Sequence, residues 1–170
     1  YRIVRSAKNR FGSVNEIGVF CMTGNAGMVE VKNPSAIFLQ KPISGASGSA
    51  VTATWLGNMP LLVEIQSLVD ESTGNPRRLT VGMDNNRVAM NLAVLNRHGG
   101  IAVTNDDIYL NATGGIRLED TSHDLAVASA VYSSFRDKVI PGNVIIFGEL
   151  GLNGEVRACK NGVERLKESA

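Results

Sequence analysis

The feature that most constrains this chain is a change of hydrophobic period near residue 84. Before it, apolar residues come in short β-type runs punctuated by Gly, Asn and Pro. From Asp84 to His98, Val88, Leu92 and Leu95 fall at i, i+4 and i+7, which lines one face of a helix. Asp84 suits an N-cap and Gly99-Gly100 a stop. A chain that opens with strands and then alternates helices with strands must bury one face of each against the other. The order predicts an α/β (α+β) sandwich, with helices packed on a mixed sheet.

The strands can be placed in more detail. Ile17-Gly18-Val19-Phe20-Cys21-Met22 and Met28-Val29-Glu30-Val31 flank Gly24-Asn25-Ala26-Gly27, a hairpin signal. A second hairpin is predicted from Ala50–Trp55 and Leu61–Ile65 around Gly57-Asn58, with a further strand at Arg78–Val81. Ile108–Asn111 and Ile116–Leu118 read as strands on either side of a turn at Thr113-Gly114-Gly115. A helix is expected from about Ser122 to Asp137, striped by Leu125, Ala128, Tyr132 and Phe135. Val144-Ile145-Ile146-Phe147 is apolar throughout, which predicts a buried central strand, and 161–170 reads as the start of another helix. Asn33-Pro34-Ser35 and the Gly/Ser/Pro-rich 42–48 break the pattern. The organisation expected is a first unit at 1–32, a linker at 33–44 and a second unit at 45–170. A lone hairpin is marginal in water, so the first unit is expected to complete a sheet elsewhere. Residue 1 is Tyr and the last residues form a charged helical run, so both ends read as cut from a longer protein.

Bulk properties exclude some classes. The 170 residues are 44% hydrophobic and 19% charged, which argues against disorder. A net charge of +1 neither demands nor forbids a polyanion partner, because binding depends on local clusters. Cys21 and Cys159 are far apart, as in a reduced cytoplasmic protein. No apolar run approaches the roughly 20 residues that span a bilayer.

Few residues advertise chemistry. No Gly-x4-Gly-Lys-Ser/Thr loop is present, and Gly45–Ser49 leads into a strand, so it reads as linker rather than phosphate cradle. His98 and His123 are isolated, and no metal-ligand spacing appears. Ser122, in Glu119-Asp120-Thr121-Ser122-His123-Asp124, is a nucleophile candidate at a helix start, where free N–H groups could hold an oxyanion. The competing reading is capping, since Thr121-x-x-Asp124 resembles a capping box. Two basic clusters suit nucleic acid: Arg2 to Arg10 beside Phe11, and Arg77-Arg78 with Arg87 behind.

Lys8-Asn9-Arg10-Phe11-Gly12, followed by Asn15-Glu16-Ile17-Gly18-Val19-Phe20, resembles the signature segment of the bacterial RadA (Sms) recombination proteins. The likeness continues through Leu62–Gln66, Gly74–Arg78, Arg97–Gly100 and Phe147–Leu152, in the same order. It implies a larger protein with an upstream zinc finger and RecA-like ATPase core binding ATP with Mg, neither cofactor belonging to this fragment. Residues 1–32 would be the last strands of that core. Residues 45–170 would be a Lon-protease-like domain of the ribosomal-protein-S5-domain-2-like type. The family assembles as hexameric rings and drives branch migration on single-stranded and branched DNA, with the RecA recombinase as a possible partner. Lys8, Asn9, Arg10, Phe11 and Gly12 would then act on nucleotide or DNA, and Arg77, Arg78 and Arg87 on DNA phosphates. Lon-type peptidases use a Ser-Lys dyad. The resemblance puts Ser122 on the serine and Val163 where the lysine should be, so the domain is expected to be a ring scaffold and DNA platform without protease activity. The alternative is a Lon-type serine peptidase using Ser122, with Lys160 or another base.

Overall fold

The computed structural model describes residues 2–12, 17–24, 27–32, 35, 39, 46–56 and 59–168. The expected linker at 33–44 lies outside them apart from Ser35 and Leu39, as do the hairpin tip Gly57-Asn58, Asn15-Glu16 and the middle of the 24–27 turn.

β1 (Arg2–Arg5), β2 (Ile17–Thr23) and β3 (Gly27–Glu30) form an antiparallel sheet in the order β1-β2-β3. Its hairpin pairs Phe20 with Glu30 and Cys21 with Val29. Ile3, Val4, Met22, Met28 and Val29 are all at least 40% exposed, and Val19 is buried.

The main sheet contains β4 (Ser49–Leu56), β5 (Met59–Glu71), β6 (Arg78–Val81) and β7 (Asp106–Ala112), in the order β4-β5-β7-β6. β6 runs parallel to β7 and the other pairs are antiparallel, so the sheet is mixed. β5 shows how composition sets coverage. Leu61-Leu62-Val63-Glu64-Ile65 is buried at every position, whereas Gln66, Leu68 and Asp70 are exposed between buried Ser67 and half-buried Val69. The first half is covered on both faces and the second on one. The register Leu68↔Tyr109↔Leu79 therefore forms an open row on the uncovered face, with Leu68 and Leu79 each 58% exposed.

Two helices cover the inward face. α1 (Asn85–His98) starts where Arg87 N–H donates to Asp84 Oδ1 at 2.8 Å, and ends where Gly99 N–H donates to Leu95 O at 2.8 Å. Asp84 is thus the N-cap that the sequence predicts. α2 (Asp124–Arg136) is apolar almost all round and is buried accordingly. Val88, Leu92, Ala126, Val127 and Val131 join Ile65, Ile108 and Leu110 in one core. Between β6 and α1, Gly82 holds φ +80, and a Cβ there would stand 2.5 Å from Ile116 O, so only glycine fits the exit from β6. β8 (Glu149–Leu150) pairs with β9 (Val156–Arg157), and α3 (Gly162–Glu168) packs on β4 and β5.

Three expectations need correction. Ile116–Leu118 joins no strand ladder: Leu118 N–H donates to Gly82 O at 2.8 Å while Ile116 and Leu118 plug the core. Val144–Phe147 is not a central strand. It lies along the outer edge of β4, joined by one parallel bridge, Val51↔Ile145, with Val144 38% exposed. An apolar run covering an edge looks the same in sequence as one between strands. Finally, α2 begins at Asp124, after a short 3-10 turn at Thr121–His123 that holds Ser122.

Candidate functional site

Asp120 stands in extended conformation just before the 3-10 turn. Its Oδ1 accepts from Ser122 N–H at 3.1 Å and also from the Ser122 hydroxyl. The cap is therefore Asp120, not Thr121. Thr121 Oγ1 instead donates to Glu149 Oε2 at 2.7 Å, and Gly148 N–H donates to Ser122 O at 2.7 Å. Ser122 is 1% exposed and its proton is committed to a carboxylate.

The other side of that carboxylate is held from α3. Arg165, also 1% exposed, directs Nη2 to Asp120 Oδ2 at 2.5 Å, Nη1 to Ala53 O and Nε to Lys160 O at 3.0 Å. Val163, expected in the lysine's place, is 63% exposed, and Lys160 is exposed as well. The cation that reaches towards Ser122 is Arg165, two residues further along the helix, and it reaches the serine only through Asp120. Burial pushes the Asp120 carboxyl up, but His123, Ser122 and Arg165 together hold it well below the usual carboxylate range. Of these three, His123 counts least, because its Nδ1 is 3.8 Å away, too long for a hydrogen bond.

Chemically this is a closed constellation. A serine nucleophile needs a neighbouring base that can take its proton. A carboxylate with so depressed an affinity for protons is a poor one, and an arginine cannot lose its proton in a protein. A lysine could serve, and none is in contact with Ser122 among the described residues.

A second buried cluster braces the start of α2. Asp124, fully buried, accepts from Arg87 Nε at 3.0 Å, from Arg87 Nη2, from Asn91 Nδ2 at 2.9 Å and from Leu150 N–H at 3.1 Å. Arg87 Nη2 also donates to Leu150 O at 3.2 Å and lies 3.8 Å from Glu149. The hydrogen bond to Asp124 raises the pKa of Arg87 against a desolvation that lowers it. This arginine ties α1, α2 and β8 together, so its guanidinium is already engaged.

Arg77 and Arg78 are exposed but not isolated. Arg77 N–H donates to Asp107 Oδ1 at 2.8 Å, and that bond, followed by Ser72 and the charge of Arg77, holds the Asp107 carboxyl below its usual value against slight desolvation. Arg78 Nη2 staples Val103 O at 3.2 Å and Thr104 O at 3.0 Å. Asp70, Glu71, Asp106 and Asp107 crowd the same end of the sheet. Lys8, Asn9, Arg10, Phe11 and Gly12 contrast with this: every one is exposed, Phe11 at 99%, with Phe11 N–H donating to Asn9 Oδ1 at 2.9 Å. The structure does not bring this loop to Ser122. Among the described residues no group of three His, Cys, Asp or Glu side chains could hold a metal, and no helix is long and apolar enough to cross a membrane.

Sequence reasoning missed Arg165, Asn91 and Glu149, and it placed Asp120 and Asp124 beside Ser122 without finding what they hold. A signal existed for Asp124, an acid opening an otherwise apolar helix. None existed for Arg165, which sits in an ordinary charged run.

Comparison with known proteins agrees with the resemblance read from the sequence. Residues 69–170, more than half of the chain, match the family described as subunit ChlI of Mg-chelatase. The DNA repair protein RadA of Pseudomonas aeruginosa is 54% identical over 169 residues, covering 99% of this chain and 37% of that protein. The RadA proteins of Escherichia coli and Listeria monocytogenes are 52% and 47% identical over 171 residues, each covering all of this chain and 37% of the relative. The chain thus spans little more than a third of the length of these curated relatives. With this identity along its whole length, the chain belongs to the RadA family.

Proposed function

We propose that this chain is part of a DNA-dependent ATPase that processes recombination intermediates by branch migration in DNA repair, serving it as a ring scaffold and DNA-binding platform without protease activity. The DNA-repair part of the reading is supported by the names of the relatives. The observation that carries the non-proteolytic part is the Ser122 hydroxyl, which is spent on Asp120 with Arg165 behind it. In this reading residues 45–170 form the Lon-protease-like domain and residues 1–32 close the RecA-like core. ATP with Mg, and the zinc finger, belong to the remainder of the protein, and the RecA recombinase is a partner in the cytoplasm.

The exposed loop Lys8–Gly12 offers two cations and a fully presented ring, the combination that grips a phosphate backbone and stacks a base. Arg77 and Arg78 make weaker phosphate contacts, because four carboxylates share their end of the sheet. Arg87 contributes as a brace through Asp124 rather than by touching DNA.

The test uses the intact protein. ATP hydrolysis is expected to rise on adding single-stranded DNA and to lose that rise in Lys8→Ala/Arg10→Ala. A fluorophosphonate probe is expected to leave Ser122 unlabelled. Hydrolysis indifferent to DNA would overturn the motor reading. Labelling of Ser122, with casein cleavage lost in Ser122→Ala, would make the domain a peptidase.

A further inference from the structure

A groove on the helical side of the second unit has walls without charge and a mouth that is basic. It encloses about 450 Å³ and is lined by Leu95, Leu125, Tyr132, Ile140 and Ile146, with Lys138 at its rim. The sequence explains the walls: no charged residue lies between Asp124 and Arg136, or between Lys138 and Glu149. Ser129 and Ser133 also line the groove, but their hydroxyls are spent inside the fold, on Leu125 O and Lys138 O. Tyr132 is 41% exposed and Val139 48%, so the apolar lining opens to solvent. The space has room for bulky side chains, and an open apolar surface of this kind marks a place where something docks.

The rim is anchored by the backbone. Lys138 N–H donates to Ser133 O at 2.9 Å, and its carbonyl accepts from the Ser133 hydroxyl, which itself accepts from Gly48 N–H at 2.8 Å. The Lys138 ammonium makes no ion pair among the described residues. Arg136 lies over the Phe135 ring, 5.4 Å from its centroid, with Nη2 3.5 Å from Gly100 O, which brings it to the α1 end of the groove. Arg97 adds a third cation in the last turn of α1. Asp137, the acid in this group, is occupied by the Ser47 hydroxyl. The mouth is therefore positive. DNA could answer that charge, but its phosphates would leave the apolar walls unfilled.

We infer that this groove docks an acidic amphipathic segment of a partner protein, whose bulky apolar side chains fill the channel while its carboxylates meet Lys138 and Arg136. Apolar burial supplies the affinity, and the charges set orientation and rate of encounter. A basic segment would set like charge against Lys138 and Arg136. Because α1 and α2 hold the walls, little ordering is needed on this side of the contact. The groove requires neither the motor nor the DNA platform of the proposed function, and it adds to them a means of recruiting another protein to this domain.

The test is fluorescence anisotropy on the intact protein. The probe is a fluorescein-labelled synthetic helix with Leu and Phe at i, i+3, i+4 and i+7 and Glu elsewhere. Saturable binding is expected, and a counterpart with Lys in place of every Glu should not bind. Arg136→Glu/Lys138→Glu should weaken the Glu probe about tenfold or more, within what close interfacial charge pairs contribute, and should admit the Lys counterpart. Ser129→Phe fills the channel and should weaken the Glu probe about as much, with DNA-stimulated ATP hydrolysis retained as the sign of a folded protein. No saturation by the Glu probe, equal affinity for both probes, or affinity indifferent to the charge reversals would each overturn the inference. Displacement of the probe by equimolar single-stranded DNA would give the basic rim to DNA instead. Binding that appears only on dilution to monomers would give the groove to a second copy of the chain.

Discussion

The molecule sets arginine beside aspartate in two ways, through the guanidinium in the interior and through the backbone N–H at a sheet end, and they differ in what they are worth. Arg165 with Asp120 and Arg87 with Asp124 lie at the junction of α1, α2, α3 and the turn holding Ser122, with Arg165 and Asp124 withdrawn from solvent. Arg77 beside Asp107 sits at an exposed sheet end. A buried charge that loses its partner is left without water to replace it, whereas an exposed one is resolvated and screened. The inner pairs therefore fix the architecture, and the outer charges are available to meet something else.

The most forceful way to break this contrast is to remove an inner partner. Asn91→Ala with Arg87→Ala should cost about 3–5 kcal/mol in urea unfolding, because it strands the fully buried Asp124 carboxylate. Arg165→Ala should cost less, about 1–3 kcal/mol, because it leaves the buried Ala53 carbonyl unpaired while Asp120 stays partly solvated. Arg77→Ala should cost under about 1 kcal/mol in the same measurement. Equal losses for Arg165→Ala and Arg77→Ala would show that burial does not separate the two settings.

DNA binding sharpens the comparison from outside. Lys8→Ala/Arg10→Ala should reduce the slope of log affinity against log salt by about two, since each phosphate contact contributes roughly one. Arg77→Ala/Arg78→Ala should reduce it by less than one contact's worth, about one at most, because acids surround that pair. The reverse order in a salt titration would move the DNA site to the sheet end.

Acidity probes one inner pair directly. The Asp120 carboxyl is depressed in the folded protein, so its stabilisation is present above the unfolded value of about 3.9 and is lost as pH falls from there towards the depressed folded value. Thermal melts should therefore fall between about pH 4 and pH 2 in the parent, and fall less in Asp120→Asn. Identical pH profiles would mean that the pair is not formed in solution. A loss intermediate between those of Asn91→Ala/Arg87→Ala and Arg77→Ala is expected from Ser122→Ala: about 1–3 kcal/mol from a lost hydrogen bond to a carboxylate, with DNA-stimulated ATP hydrolysis unchanged.

Much of the fold was legible because it rests on periodicity. The α1 stripe, its Asp84 cap and the β4–β5 hairpin all follow from residues close together in sequence. What failed depended on distance. Val144–Phe147 looked central because an apolar run does not say which side is covered. The Lys8–Gly12 motif was readable as a motif, yet its exposure was not. Ser122 was found as a residue and misjudged in its surroundings, because Asp120 and Arg165 meet across 45 positions. Counting along a family pattern stopped at Val163, whereas the side chain facing inward on that helix is Arg165.

The placement of Arg165 also bears on how the chain matures. Strand β4 and the turn at Asp120 are made well before α3 leaves the ribosome, and synthesis proceeds at about 5–20 residues per second. Until then the Ala53 carbonyl and the Asp120 carboxylate lack the guanidinium that satisfies them in the finished fold. The nascent domain thus passes through an interval in which its sheet is present and its interior is one cation short.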